Sequence, residues 1–93
     1  MTERESTGVA LRDVWMEGAR RLEEAGVTDH RFEAEVLLRH AVGKTRAEFY
    51  ANLADPIDAA LQSRFEQALV RRIEREPLAY ITGSREFFKL EFE

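Results

Sequence analysis

Cysteine is absent from this chain of 93 residues, and proline, glycine and tryptophan are scarce, at two, five and one residues. Without cysteine the protein can form neither disulfide bonds nor thiolate-bound metal sites, which fits a reducing compartment. No apolar run approaches the roughly 20 residues that a helix needs to cross a membrane. Residues 1–8 are polar and charged, unlike a signal peptide. We therefore expect a cytoplasmic domain with no membrane partner.

Net charge and composition indicate what kind of protein this is. The formal charge of −4 argues against direct binding of nucleic acid by this chain alone. A hydrophobic fraction of 44% beside 34% charged residues is typical of a soluble globular protein rather than a disordered one. At this length the chain has room for one small domain with a modest core.

Side chains that could perform catalysis or bind a metal are few and poorly grouped. His30 and His40 lie far apart in the sequence and have no cysteine to complete a ligand set, so we predict a capping and a surface role for them. No serine or threonine has a recognisable nucleophile context, and the single glycines form no phosphate-binding loop. Acidic pairs at adjacent or alternate helix positions do not converge, so we predict that they face solvent. These pairs are Glu23 with Glu24 and Glu33 with Glu35. We expect no catalytic, cofactor-binding or metal-binding residue in this chain.

The first apolar pattern predicts a helix that starts near Val9 and ends before Gly26, a residue that readily terminates a helix in the left-handed conformation. Trp15 is the largest side chain on its apolar face. We interpret Trp15 as a core anchor rather than a surface for stacking a ligand. The face consists of Leu11, Val14, Trp15, Gly18, Ala19, Leu22 and Ala25.

Two further helices are marked by their end signals. Asp29 is a suitable N-cap for a second helix, which should run to about Val42, with Gly43 beyond its end. Within it, Glu35 and Arg39 form an i,i+4 pair in the favourable order, worth roughly 0.2–0.5 kcal/mol if exposed. A short third helix is predicted from the capping-box spacing of Thr45 and Glu48. Its apolar residues are Phe49, Tyr50 and Leu53.

The fourth helix is predicted to be the longest, from Pro56 to about Arg75, because Asp55 and Pro56 together form a start signal. Its last turns contain three arginines: Arg71, Arg72 and Arg75. They could be a docking patch for an acidic or phosphate-bearing partner. The alternative, which we favour, is that they compensate the helix dipole and face solvent.

These patterns predict an all-α fold, a small helical bundle of four amphipathic helices plus a short fifth turn. Residues 84–93 change to a period of two, with Phe88, Leu90 and Phe92 on one side of an extended chain. This strand has no partner in the sequence, and we interpret it as the start of a hairpin linker. We therefore divide the chain into a mobile tail (1–7), a bundle domain (8–83) and a linker to a missing catalytic domain (84–93).

Residues 76–83 are Glu-Pro-Leu-Ala-Tyr-Ile-Thr-Gly, and Arg-Glu-Phe-Phe follows at 85–88. This stretch resembles the junction between the helical and catalytic domains in the HemK-type protein-glutamine N5-methyltransferases. Residues 31–40 and 64–72 are similar to that family's second and fourth helices. Lys89 departs from the family pattern, which usually has glycine at this place.

The resemblance implies a parent enzyme that transfers a methyl group from S-adenosylmethionine to the glutamine of the Gly-Gly-Gln motif in peptide-chain release factors, which act in translation termination. The family's glycine-rich loop and Asn-Pro-Pro-Tyr motif are both missing from this chain, so we expect it to be inactive alone and to bind no cofactor. The implied partners are the release factor and the missing catalytic domain. By motif position, the candidate contact residues are Arg85, Glu86, Phe87 and Phe88, although a hinge that only packs against the next domain would use the same residues.

The sequence is compatible with other functions. The chain could be a freestanding helical interaction module, or a rigid lid or spacer within the enzyme. It could also be the same domain of a ribosomal-protein glutamine methyltransferase, although the Arg85–Phe88 stretch matches the release-factor branch better. The sequence leaves open which helix face meets a substrate, the oligomeric state, and whether the catalytic half is encoded with this chain.

Overall fold

The computed structural model describes residues 6–83, which form a small, mostly helical domain as predicted. In chain order the elements are β1 (Ser6–Ala10), α1 (Leu11–Glu24), α2 (His30–Val42), α3 (Arg46–Ala51), β2 (Pro56–Asp58), α4 (Ala59–Ile73) and α5 (Leu78–Thr82). The helices α1, α2 and α4 pack against one another, α5 packs against α2 and α4, and β1 and β2 pair as a two-stranded antiparallel sheet.

The predicted glycine stops of α1 and α2 and the capping box of α3 are confirmed, whereas Asp29 occupies the N-cap position of α2 without a side-chain capping hydrogen bond. Gly26 and Gly43 follow α1 and α2 with φ of +91° and +72°, values that residues with a side chain rarely adopt. Thr45 and Glu48 form the predicted capping box at α3: the Thr45 hydroxyl accepts from the Glu48 amide at 3.1 Å, and the Glu48 carboxylate accepts from the Thr45 amide at 3.0 Å. Local sequence therefore sets these boundaries.

The start of the fourth helix was predicted incorrectly. Pro56–Asp58 forms the strand β2, and α4 begins only at Ala59. The fixed φ of proline and its missing amide hydrogen suit an edge strand as well as a first helical turn. Pairing with β1 decides between the two, since Ala10 lies opposite Pro56 in the two-stranded sheet.

The strand β1 was not predicted either. It begins at Ser6, so the last two residues of the segment that we assigned to a tail belong to this strand. The Thr7 hydroxyl donates to the Ile57 carbonyl at 3.1 Å, and Ile57 is buried in the core. The helix α1 consequently starts at Leu11 rather than Val9. Its first amide donates to the Asp55 carbonyl at 2.9 Å, which ties the helix to the turn before β2.

The core lies between α1, α2 and α4 and extends to α3 and α5. Trp15 is 8% exposed, and its indole Nε1 donates to the Arg31 carbonyl at 3.0 Å. The predicted role of Trp15 as a core anchor is therefore confirmed. The other buried apolar residues are Leu11, Val14, Ala19, Leu22, Val27, Ala34, Val36, Leu37, Leu38, Ala41, Phe49, Ile57, Phe65, Ala68, Leu69 and Ile81.

Gly18 lies where α1 packs tightly against Phe65 of α4. A Cβ atom at this position would lie 2.5 Å from Cζ and 2.9 Å from Cε2 of the buried Phe65 ring. We expect Gly18→Ala to lower the free energy of unfolding by about 1–3 kcal/mol, because overpacking outweighs the better helix propensity of alanine. Urea denaturation of both proteins measures the difference.

The double variant Gly18→Ala/Phe65→Leu is the control for this prediction. Leucine lacks the ring atoms that the new Cβ would meet, so the Gly18→Ala change should be nearly neutral in that background. An equal loss in both backgrounds would show that the clash with Phe65 is not the cause.

Candidate functional site

The two histidines do not come together. His30 is the first residue of α2, and its Nδ1 lies 3.1 Å from the Val27 carbonyl oxygen. His40 lies on an exposed part of α2 near the other end of the helix. Among residues 6–83, no group of three or more histidine, aspartate or glutamate side chains could hold a metal ion.

The prediction that Glu33 and Glu35 face solvent is wrong. Glu35 is only 2% exposed, and the Glu33 side chain is 16% exposed because it accepts a hydrogen bond from Arg72 Nε of α4 at 2.6 Å. Helix α2 packs against both α1 and α4, so little of its surface is left for solvent. The two carboxylates have different partners, as their alternate spacing predicts.

Glu35 is the centre of a polar network between α2 and α3. One carboxylate oxygen accepts from the Tyr50 hydroxyl at 2.9 Å. The other lies 2.9 Å from Arg46 Nε and 3.4 Å from Arg39 Nη1. The predicted pair of Glu35 with Arg39 therefore exists, but its carboxylate is buried and shared with two further partners.

Two of the partners of Glu35 are exposed yet held in place. Tyr50 is 43% exposed, and its ring makes edge contacts with Trp15 and Phe49 at centroid distances of 5.6 and 5.4 Å. The guanidinium carbon of Arg46 lies 5.8 Å from the centre of the Tyr50 ring, within the range of a cation–π contact. The contact with Tyr50 and the charge of Glu35 raise the pKa of Arg46. The buried carboxylate thus orients a tyrosine and an arginine at the surface.

A pocket of about 330 Å³ adjoins this network and shares Arg39 with it. Its wall includes Thr82 of α5, which is buried and donates to the Leu78 carbonyl at 3.3 Å. The lining residues are Val36, Arg39, His40, Gly43, Lys44, Thr45 and Thr82. We use the name α2–α3 corner for the charged and polar side chains of network and pocket: Glu35, Arg39, His40, Lys44, Arg46 and Tyr50.

Among residues 6–83, cations outnumber carboxylates at the α2–α3 corner. Its cations are Arg39, Lys44 and Arg46, and they face two carboxylates, Glu35 and the capping Glu48. Lys44 forms no ion pair with any residue in the range 6–83. The pocket can therefore accept an anionic group.

The arginines at the end of α4 bind within the domain. Arg71 Nε donates to the Glu76 carboxylate at 2.9 Å, and this hydrogen bond lowers the pKa of Glu76. Arg72 binds Glu33, and Arg75 donates to the Ala25 carbonyl at 2.6 Å. These contacts argue against a docking patch, but Arg72 does not face solvent as expected, since its side chain is only 21% exposed.

The candidate contact residues Arg85, Glu86, Phe87 and Phe88 lie outside the described residues, as does the predicted linker strand. The last described residue, Gly83, follows Thr82 and has a φ of +63°. The corner itself was not predicted, because Tyr50 and Glu35 are 15 positions apart and no local pattern links them. Only the pair of Glu35 with Arg39 was visible in the sequence.

In the part of the chain that the structure describes, no helix has both the length and the apolar character needed to span a bilayer. The positive-φ glycines are scattered: Gly8 lies within β1, and Gly26, Gly43 and Gly83 follow α1, α2 and α5. They form no shared cradle for a nucleoside cofactor.

Comparison with known proteins assigns the chain to a family. The sequence model of the PrmC N-terminal domain matches residues 13–83. A release factor glutamine methyltransferase of Moorella thermoacetica is 42% identical over 85 residues, which are 91% of this chain and 30% of the relative. One of Burkholderia pseudomallei is 43% identical over 61 residues, or 66% of this chain and 21% of the relative.

A bifunctional methyltransferase of Rickettsia conorii is 31% identical over 83 residues, which are 89% of this chain and 16% of that protein. The chain thus spans less than a third of the length of each of these relatives. No solved structure matches.

Proposed function

Because the chain belongs to the PrmC N-terminal domain family, we propose that it serves a release factor glutamine methyltransferase as the domain that helps to engage the release factor. The position of the α2–α3 corner carries this proposal. Its pocket is lined in part by Thr82, which lies within the junction motif at residues 76–88. A partner bound at the corner would therefore lie close to whatever follows residue 83.

In this proposal the domain contributes binding rather than chemistry. Holding the protein substrate at a site remote from the reacting glutamine reduces the entropy that is lost on reaching the transition state. S-adenosylmethionine supplies the methyl group in the parent protein. The described residues do not fit this cofactor, so the rest of the parent would bind it, and we expect the chain alone to show no methyl transfer. The proposal implies a cytoplasmic protein.

Isothermal titration calorimetry of the 93-residue chain with a purified release factor tests the proposal. We expect one binding site with a dissociation constant of roughly 1–100 μM, typical of a small transient interface. Absence of heat at the highest soluble concentrations would show that the domain does not recruit the factor.

Two controls separate the remaining alternatives. A large-subunit ribosomal protein in the same titration tests the other substrate class, and binding to it in preference to the release factor would reassign the domain. Deletion of residues 1–83 from the parent enzyme tests the spacer hypothesis. A spacer predicts an unchanged KM for the release factor, whereas a recruiting domain predicts a raised KM.

A further inference from the structure

We propose that the α2–α3 corner binds a carboxylate side chain of the release factor, with Lys44 and Arg46 as contact residues and Glu35 as the residue that positions them. This inference rests on the proposed function and specifies the chemistry of the contact. Nothing in the family match or in the names of the relatives assigns a role to these residues.

The pocket has the dimensions and lining for one acidic side chain. Its volume of about 330 Å³ exceeds what a single aspartate or glutamate side chain occupies, leaving room for a bridging water. Val36 and Thr82 provide an aliphatic wall for the methylene groups. Lys44, with no ion pair among residues 6–83, provides the cation on the same pocket wall. Charge-assisted hydrogen bonds to a carboxylate are about twice as strong as neutral ones.

The buried carboxylate of Glu35 prepares the surface beside the pocket. Burial of an ion is unfavourable unless several partners satisfy it, and three partners satisfy this one. Two of those partners, Arg46 and Tyr50, are exposed and therefore available to another protein. Arginine and tyrosine are enriched where binding energy concentrates in protein interfaces. Side chains that are already fixed lose less conformational entropy on binding.

The charge distribution favours a protein carboxylate over a nucleic acid. At the corner, Lys44 has no ion pair among residues 6–83, while the chain as a whole carries a charge of −4. Nucleic-acid binding requires several cations that neutralise successive phosphates, and the rest of this surface would repel the backbone. A single carboxylate needs only the local charge. The net negative charge elsewhere also orients an acidic partner toward the corner.

The first experiment compares Lys44→Gln with Arg64→Gln by calorimetric titration with the release factor. Each variant removes one positive charge, and Arg64 lies on an exposed position of α4 with no ion pair within residues 6–83. We expect Lys44→Gln to weaken binding by about tenfold and Arg64→Gln by less than about twofold. Equal effects would overturn the proposal and leave Lys44 as compensation for the C-terminal dipole of α2.

The positioning role of Glu35 needs a readout other than stability. We expect Glu35→Gln, measured at a temperature where it remains folded, to weaken binding by about three- to tenfold. The nuclear magnetic resonance order parameter of Arg46 Nε–H should fall at the same time, because the charge that holds the guanidinium is gone. A folded variant with unchanged affinity and an ordered Arg46 would show that Glu35 has no positioning role.

A third experiment identifies the chemical source of the anion. Amide chemical shifts of Gly43, Lys44 and Thr45 are followed while an oligoglutamate peptide, inorganic phosphate or a short single-stranded RNA is added at fixed ionic strength. We expect the peptide to shift these signals most. Larger shifts with RNA or phosphate would overturn the assignment to a protein carboxylate.

These experiments separate the two proposals. If the wild-type chain binds the peptide at the corner but gives no heat with the release factor, the proposed function is wrong. The partner that the corner binds would then be a protein other than the release factor. If the factor binds and Lys44→Gln has no effect, only the carboxylate contact is wrong.

Discussion

Trp15→Ala is expected to lower the free energy of unfolding by about 3–5 kcal/mol, the range for removing a large aromatic side chain from a core. Trp15 is 8% exposed and packs edge-on against Phe49 with the ring centroids 5.2 Å apart. The substitution also leaves the Arg31 carbonyl without the indole donor that lies 3.0 Å away. Chemical denaturation followed by far-ultraviolet circular dichroism measures the change.

Two controls accompany the Trp15 prediction. Tyr80→Ala removes an aromatic side chain that is 71% exposed on α5, and it should change stability by less than about 1 kcal/mol. Trp15→Phe keeps a ring in the core but loses the hydrogen bond, so it should give an intermediate loss. A loss below about 1 kcal/mol for Trp15→Ala would contradict the core assignment and reopen a ligand-stacking role.

Glu35→Ala is expected to lower the free energy of unfolding by about 2–3 kcal/mol. Removing one partner of a buried ion pair usually lowers the free energy of unfolding by about 3–5 kcal/mol, because an uncompensated charge stays buried. The loss expected for Glu35→Ala is smaller, because the Arg46 side chain is 61% exposed and water can solvate it after the substitution. The Arg39 guanidinium, on a side chain that is only 17% exposed, and the Tyr50 hydroxyl each lose an interaction with the carboxylate.

Glu66→Ala is the matched control for Glu35→Ala, and chemical denaturation of both variants measures the difference. Glu66 pairs with Arg21 between α4 and α1 at 2.6 Å, but its side chain is 51% exposed. An exposed pair of this kind contributes less than about 1 kcal/mol. Similar losses for the two variants would mean that the burial of Glu35 has no energetic consequence. That result would contradict the role of Glu35 as the centre of the α2–α3 corner.

The helices of this protein follow from local rules in the sequence. Gly26 and Gly43 end α1 and α2 because the left-handed conformation needed there is open to glycine. The capping box of Thr45 and Glu48 starts α3 because both hydrogen bonds join residues three apart. The apolar stripe with Trp15 follows from helical periodicity alone. These features determine the fold class, and the junction motif at 76–88 indicates the family through its residues alone.

Tertiary structure decided the features that depend on residues distant in the chain. Pro56 begins a strand rather than a helix because β1, almost fifty residues earlier, supplies the pairing partner. Glu35 is buried rather than solvent-exposed because α3 folds over it and contributes Tyr50 and Arg46. Sequence periodicity identifies which side of a helix is apolar, but not what covers its polar positions. The candidate site consists of such positions, so only the packing of the helices against one another creates it.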